Sequence, residues 1–310
     1  MAGENGRTVE AALLVTGGMA LFGLIDNFMR LAAETGGLWQ FHLLRSAVAL
    51  AVLVPVAWIA GARLSPLRPG RVLLRSVLNS VAMVIYFGCL AFMPIAQVVA
   101  GLFTAPLFVV LFSVLLFREP VGPWRTGAVA LGFVGILLAI GIDADSLSAL
   151  SLLPVLAGAF YGLGNLVTRQ WCAGEGTAAL LLGFFGLMML WGALGTLILW
   201  LVPLPVAPGA DGFATRGWVA PEGVFLVMIL VQGVGSLVGV GLSIRAYQIA
   251  SATVVAVFEN ALLVFATLWA IVLWREIPGP VEALGLVLVT AAGILIAWRQ
   301  PSAAPRREAA

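Results

Sequence analysis

TVVAVFENALLVFATLWAIVLWREIPGP, residues Thr253 to Pro280, repeats a stretch met earlier in the chain. Moving back 157 residues gives AQVVAGLFTAPLFVVLFSVLLFREPVGP, Ala96 to Pro123. Each copy is an apolar run closed by Arg-Glu, two further residues and Gly-Pro. With one residue of slack, Gly135-Ile-Leu-Leu-Ala139 answers Gly293-Ile-Leu-Ile-Ala297. A repeat at this spacing marks an internal duplication, and the duplicated unit is hydrophobic throughout. The copies differ where Leu102-Phe103 becomes Glu259-Asn260, an acid and an amide inside an apolar run.

Composition says what surrounds this unit. Of 310 residues, 62% are hydrophobic and 10% charged, and the mean hydropathy is +1.11. Such a chain cannot cover its apolar surface with polar groups, so the lipid bilayer is its expected solvent. A net charge of +2 gives no reason to expect nucleic acid. Cys89 and Cys172 lack the spacing of a zinc site or a disulfide framework and read as packing.

Ten segments are long enough to span a hydrocarbon core as helices: 10–32, 38–60, 72–92, 95–117, 124–142, 149–169, 178–202, 223–246, 252–274 and 281–298. Turn and breaker residues separate them, among them Gly36-Gly37, Pro94, Pro120 to Pro123, Asp143 to Ser148 and Pro278 to Pro280. The first segment contains Asp26 and Asn27 and lacks a small-residue cleavage site, so it reads as a retained helix. Arginine sets the orientation: eleven fall on the side of the amino terminus and three (Arg30, Arg216, Arg275) on the other. Both termini of this multi-pass protein are therefore expected in the cytoplasm.

Five helices per half is an odd number, so the second half enters the membrane from the opposite side. The expected fold is an all-α integral membrane protein of ten transmembrane helices in two inverted five-helix repeats. Residues 10–142 form the first repeat and 149–298 the second, flanked by cytoplasmic tails at 1–9 and 299–310. Ala20-Leu-Phe-Gly-Leu-Ile-Asp26 answering Ala159-Phe-Tyr-Gly-Leu-Gly-Asn165 agrees with this. Inverted repeats are the mark of alternating-access carriers, whose ligand site lies near the midplane between the halves.

With these residues in view, the chain resembles the drug/metabolite transporter superfamily, and within it the EamA-type bacterial members. The resemblance runs over about 10–298 and rests on the two five-helix halves and on Arg118-Glu119 and Arg275-Glu276. The family's Glu-Pro of the ninth helix stands here as Leu262-Leu263, with Glu259 one turn earlier. In relatives of this fold, helices 1, 3, 4, 6, 8 and 9 line the central cavity.

Polar residues in lipid usually face a cavity or one another, and here they fall in stripes at helical spacing. Helix 3 carries Asn79, Met83 and Tyr86; helix 4 carries Gln97, Gly101 and Thr104, with Phe103 beside them. Helix 6 carries Tyr161, Asn165 and Thr168; helix 8 carries Gln232, Ser236, Ser243 and Tyr247. Helix 9 carries Thr253, Glu259, Asn260 and Thr267, and helix 1 contributes Asp26 and Asn27. The striped helices are the six that the resemblance implies as cavity lining. Expected substrate contacts are Asp26, Asn79, Tyr86, Gln97, Phe103, Asn165, Tyr247 and Asn260.

Single residues leave alternatives open. Asp26 reads either as half of an ion pair with Arg45 or as a substrate or proton ligand. His42, one turn from Arg45, reads as a gate residue or as a hydrogen-bonding anchor. Glu259 reads as a proton carrier or cation ligand, or as an acid satisfied by Arg245 or a backbone donor. Arg118-Glu119 and Arg275-Glu276 read as helix-end caps.

The functional expectation is a secondary carrier that exports a small metabolite, an amino acid or amine-containing compound, with protons as candidate coupling ions. A multidrug or organic-cation carrier of the same fold is the alternative. No Walker-type glycine loop is present, so ATP is not expected to drive it. One histidine, no HExxH and no GxSxG leave an intramembrane enzyme little to work with. No catalytic residue, metal or cofactor is expected, and polar stripes argue against an inert scaffold or sensor.

Overall fold

In lipid the backbone satisfies its polar groups within a segment, so long apolar runs fold as helices. The computed structural model describes residues 2–89, 95–119, 121–140, 150 and 152–298; at 2–5, 30, 95–97 and 296–298 the backbone alone is described. Pro94, Pro120, the connection Asp143 to Ser148, the boundary at 142 and the tail 299–310 lie outside the described residues.

The helices in chain order are α1 (Ala2–Asp26), α2 (Met29–Thr35), α3 (Leu38–Ile59), α4 (Pro69–Cys89), α5 (Ile95–Leu102), α6 (Ala105–Leu115) and α7 (Pro123–Ile140). They continue as α8 (Leu152–Trp171), α9 (Thr177–Leu201), α10 (Gly223–Ile249), α11 (Ala252–Glu259), α12 (Ala261–Trp274) and α13 (Pro280–Trp298). Among the described residues, 8 stretches are long and apolar enough to cross a membrane. The expected sixth and tenth spans fall short of that measure. α8 forms at 20 residues, but Tyr161, Asn165, Thr168 and Arg169 dilute its apolar content. The apolar stretch of α13 counts only over Pro280–Leu295.

Three spans expected to be continuous are interrupted. α1 stops at Asp26 because the Asn27 side chain donates to the Gly23 carbonyl at 2.7 Å, competing for an acceptor the helix would use, and to Ala266 at 2.9 Å. The fourth span breaks between α5 and α6. Pro106 has no N–H for the Leu102 carbonyl, and Thr104 Oγ1 donates to Gly101 at 2.6 Å. The ninth breaks at Asn260, whose N–H bonds three residues back to Val257 at 3.2 Å in a tightened turn. Leu102 and Glu259, which end α5 and α11, are separated by the repeat distance of 157.

The same distance separates Arg118 and Arg275, the positive-φ residues other than glycine among those described, at 53° and 59°. Each closes its helix with an N–H reaching six residues back, Glu119 to Ser113 at 2.9 Å and Glu276 to Ala270 at 3.3 Å. A left-handed residue closing a helix is usually glycine; here arginine takes that place in both spans.

α7 packs along α13, α3 along α9, α4 along α8 and α1 along α10; α8 also meets α5 and α6, and α1 meets α12. The crossing of α7 and α13 depends on small residues, since a Cβ on Gly135 would stand 2.8 Å from the Gly285 carbonyl. Large apolar side chains such as Trp58, Ile59, Trp200 and Val287 face outward, the arrangement expected of a protein dissolved in lipid.

Two arginines counted as flanking charges have structural duties instead. Arg216 bonds the carbonyls of Ala33 at 2.8 Å and Gly36 at 2.6 Å, capping α2. Arg75, 3% exposed, lies between helices because α4 begins at Pro69, before the expected boundary. Its Nε donates to Thr168 Oγ1 at 3.0 Å and its guanidinium stands 5.9 Å from the Phe184 ring.

Candidate functional site

The break between α11 and α12 leaves Glu259 at the end of a half-helix, 7% exposed. Two phenols hold it. Tyr247 of α10 donates to Oε2 at 2.7 Å, and Tyr161 of α8 donates to Oε1 at 3.0 Å. Asn165, one turn after Tyr161, adjoins both phenols. Asn79 of α4 lies 2.7 Å from where a Cβ on Gly164 would sit, which puts it beside the same helix face. Arg245 is exposed, so the partners of Glu259 are neutral hydroxyls rather than that cation.

Several buried polar atoms on the helices that meet here have no hydrogen-bond partner: both amide atoms of Asn79, Nδ2 of Asn165, Oδ1 of Asn260 and Oγ of Ser243. Buried polar groups are normally paired, so each of these has hydrogen-bonding capacity to spare. A carboxylate accepts both phenol bonds, and a carboxylic acid can also donate one.

A second group gathers near the other end of α1. Asp26 is exposed beside a cavity of about 430 Å³ that Asn27, Thr267, Glu276 and Glu282 also line. It accepts from Gln232 Nε2 at 3.3 Å, while the same nitrogen reaches the Ile25 carbonyl at 3.0 Å. The expected Asp26–Arg45 contact is not made: Arg45 lies 5.5 Å from the Phe41 ring and 5.9 Å from the Phe87 ring. Neither is His42 a hydrogen-bonding anchor, since both its ring nitrogens lack partners and it meets the Phe87 ring at 4.3 Å. Tyr86 packs on Phe87 at 5.0 Å.

The residues expected as one site thus fall into two groups. Asn79, Asn165, Tyr247 and Glu259 come together, with Asn260 at the helix break itself. Asp26, Tyr86, Arg45 and His42 form the second group. Phe103 is half-buried at the α5–α6 break, and the side chain of Gln97 lies outside the described residues. Sequence reasoning placed Tyr161 and Gln232 in stripes without assigning them contacts; each lies on its stripe with Asn165 or Ser236 one turn away. Among the described residues no group of three or more His, Cys, Asp or Glu could hold a metal ion.

A set of bonds that the sequence did not signal ties the helix ends on the side of the amino terminus. Glu175 accepts the N–H groups of Leu67 and Arg68, both at 2.7 Å. Gln248 donates to Cys172 and Glu175 carbonyls at 3.1 Å and 2.8 Å and accepts from Thr177 at 3.0 Å. Arg169 donates to the Gln248 carbonyl at 3.0 Å. Burial here pushes the Cys172 thiol up, which leaves it unreactive.

Comparison with known proteins bears on this geometry. Residues 10–141 match the EamA-like transporter family. The chain is 27% identical to a riboflavin transporter of Rhizobium johnstonii, over 96% of this chain and 93% of that protein. It is 26% identical to a pseudopaline exporter of Pseudomonas aeruginosa over 89% and 91%. An S-adenosylmethionine uptake transporter of Rickettsia felis is 22% identical over 83% and 81%. A solved crystal structure at 17% identity superposes with a TM-score of 0.73 over 92% of this chain and 96% of the other, a likeness of fold.

Proposed function

Because this chain is an EamA-type member of the drug/metabolite transporter superfamily, a membrane transporter and not an enzyme, we propose that it exports a small amine-containing metabolite across the bacterial inner membrane by alternating access. Glu259 is the coupling acid in this reading, and protons rather than ATP drive the exchange. The observation that carries it is Glu259 itself: a buried carboxylate at a mid-span helix break, held by tyrosines from two other helices. Discontinuous helices near the midplane are where secondary carriers bind substrate and coupling ions.

Helix pairing supports the inverted ten-helix repeat. Exchange α1, α3, α4, α5–α6 and α7 for α8, α9, α10, α11–α12 and α13. The pairs α7–α13 and α3–α9 then map onto themselves, α1–α10 onto α8–α4, and α1–α12 onto α8–α6. The arginine bias supports cytoplasmic termini. A second reading, an organic-cation carrier of the same fold, draws on the cavity that Asp26, Glu276 and Glu282 line.

The test is counterflow in liposomes containing the purified protein. Labelled amino acids, polyamines and quaternary ammonium compounds are each loaded on one side and then on the other. A carrier gives saturable exchange with at least one of them, and Glu259→Gln slows it at least about tenfold, the loss of one charge-assisted bond. Absence of saturable exchange from either side would contradict the carrier reading.

A further inference from the structure

A cavity of about 240 Å³ opens on the side of the amino terminus, where α8 ends and α7 and α11 begin. Glu119, Arg125, Arg169 and Ser251 line it, and the length of α11 separates it from Glu259. Its volume is several times the roughly 30 Å³ that one water takes up in the liquid. The two arginines come from different helices and are half-buried. Arg125 donates through Nη1 to Ser251 Oγ at 3.4 Å, and Arg169 through Nη1 to the Gln248 carbonyl at 3.0 Å. Both acceptors are neutral, so these bonds leave the two positive charges unmatched. A guanidinium carries five N–H donors, and each arginine uses one bond of that capacity on the described residues.

Glu119, the acid in the lining, accepts from Gln170 Nε2 at 2.8 Å. Two arginines and one glutamate give the cavity a single net positive charge. Ser251 precedes α11 without a side-chain cap, so the first-turn N–H groups of that helix add partial positive charge at the same end. Trp124 adjoins Arg125 in the chain and Trp171 follows Arg169 by two residues; they are 51% and 38% exposed. Exposed tryptophans at the ends of membrane helices settle among lipid headgroups. This pair sets the cavity at headgroup depth.

We infer that this cavity is a receptor for the phosphodiester of an anionic lipid headgroup, held by Arg125 and Arg169. A phosphodiester carries one negative charge, which the net charge of the lining matches. Its oxygens accept the forked donors of guanidinium groups in pairs. Basic pockets between the ends of transmembrane helices hold anionic headgroups in this manner. Free inorganic phosphate shares the chemistry but carries more charge near neutral pH and has no acyl chains to place in the membrane. A lipid bound here joins α7, α8 and α11 at the end that Arg169 and Gln248 already tie. The inference depends neither on Glu259 nor on the transported solute.

The experiment measures the melting temperature of the whole chain, purified in detergent and stripped of lipid, during titration with phosphatidylglycerol, phosphatidylcholine or inorganic phosphate. Phosphatidylcholine has the same chains and phosphodiester but adds a cation that cancels the charge. The expected result is a saturable rise with phosphatidylglycerol, at a concentration at least about fivefold below that needed of phosphatidylcholine. Arg125→Gln and Arg169→Gln should each move the phosphatidylglycerol midpoint up about fivefold, the usual contribution of one arginine near a membrane surface. Arg63→Gln, which removes an exposed arginine on the same side, should leave the midpoint where it is. Equal action of the two lipids would overturn the inference, and so would a midpoint that neither Arg125→Gln nor Arg169→Gln moves. An equal shift in Arg63→Gln would reduce the effect to overall charge and overturn it too. Inorganic phosphate acting at the concentration of the lipid would overturn the assignment to lipid. If Arg169→Gln does not fold for want of its bond to Gln248, Arg125→Gln decides alone, since its bond to Ser251 is long.

Discussion

The two half-helix junctions, α5–α6 and α11–α12, are one backbone device used twice with different side chains. Both interrupt an apolar span at the same place in the repeat, and both spans end 157 residues apart on an arginine in the left-handed region. Both second half-helices are met closely by a glycine from another helix. A Cβ on Gly162 would lie 2.8 Å from the Ala105 carbonyl, and one on Gly23 would lie 2.8 Å from the Ala266 nitrogen. At the first junction the polar contact is local, Thr104 to Gly101. At the second an acid reaches out to tyrosines of α8 and α10. The backbone is alike at the two junctions, and the side chains at Leu102-Phe103 and Glu259-Asn260 are where they differ.

The largest expected effect comes from erasing that divergence. Glu259→Leu installs the residue of the first copy and should cut liposome exchange roughly a hundredfold, the scale of about 3 kcal/mol for a lost buried charged contact. Adding Leu102→Glu should fail to restore it, because no phenol bonds that position; restored exchange would mean the halves are interchangeable. Next come the glycines. Gly23→Val and Gly162→Val should each lower stability by roughly 1–3 kcal/mol through overpacking, read as a drop in melting temperature. A drop in one alone would break the symmetry claimed for the backbone.

The tyrosines should have smaller, graded effects. Tyr247→Phe should weaken exchange by about tenfold and Tyr161→Phe by less, following the shorter and longer bonds to Glu259. Equal, negligible losses would take Glu259 out of the ligand path. The smallest effect is a gain. Arg118→Gly and Arg275→Gly should each raise stability by up to about 1 kcal/mol, since glycine adopts positive φ without the Cβ penalty. The two melting curves should shift alike.

Sequence reasoning recovered an all-helical chain and eight of its apolar spans, because hydrophobic period is a local signal. It missed the helix breaks, whose hydrogen bonds are local at the α5–α6 and α11–α12 junctions and reach across the fold only at Asn27. Nothing in the sequence around Asn260 interrupts the helix by itself, and Asn27 interrupts α1 by binding carbonyls of α1 and α12. Pro106 was the one readable warning. Arg75 was misplaced for a related reason: hydropathy put it at a span end, whereas α4 starts early enough to carry it between α8 and α9. The stripes of α4, α8 and α10 found the neighbourhood of Glu259, but a stripe gives a face and not a partner. An Asp26–Arg45 ion pair was one of the alternatives that the sequence left open, and the structure places Arg45 against the Phe41 and Phe87 rings instead.

The most direct test of the account sets the two junctions against each other in one assay. Wild type, Glu259→Gln and Leu102→Ala are reconstituted side by side, and initial exchange of the amino-acid and amine panel is measured. The account predicts saturable exchange in wild type and Leu102→Ala, within about twofold of each other, and its loss in Glu259→Gln. Full exchange in Glu259→Gln, or loss in Leu102→Ala without loss of folding, would contradict it.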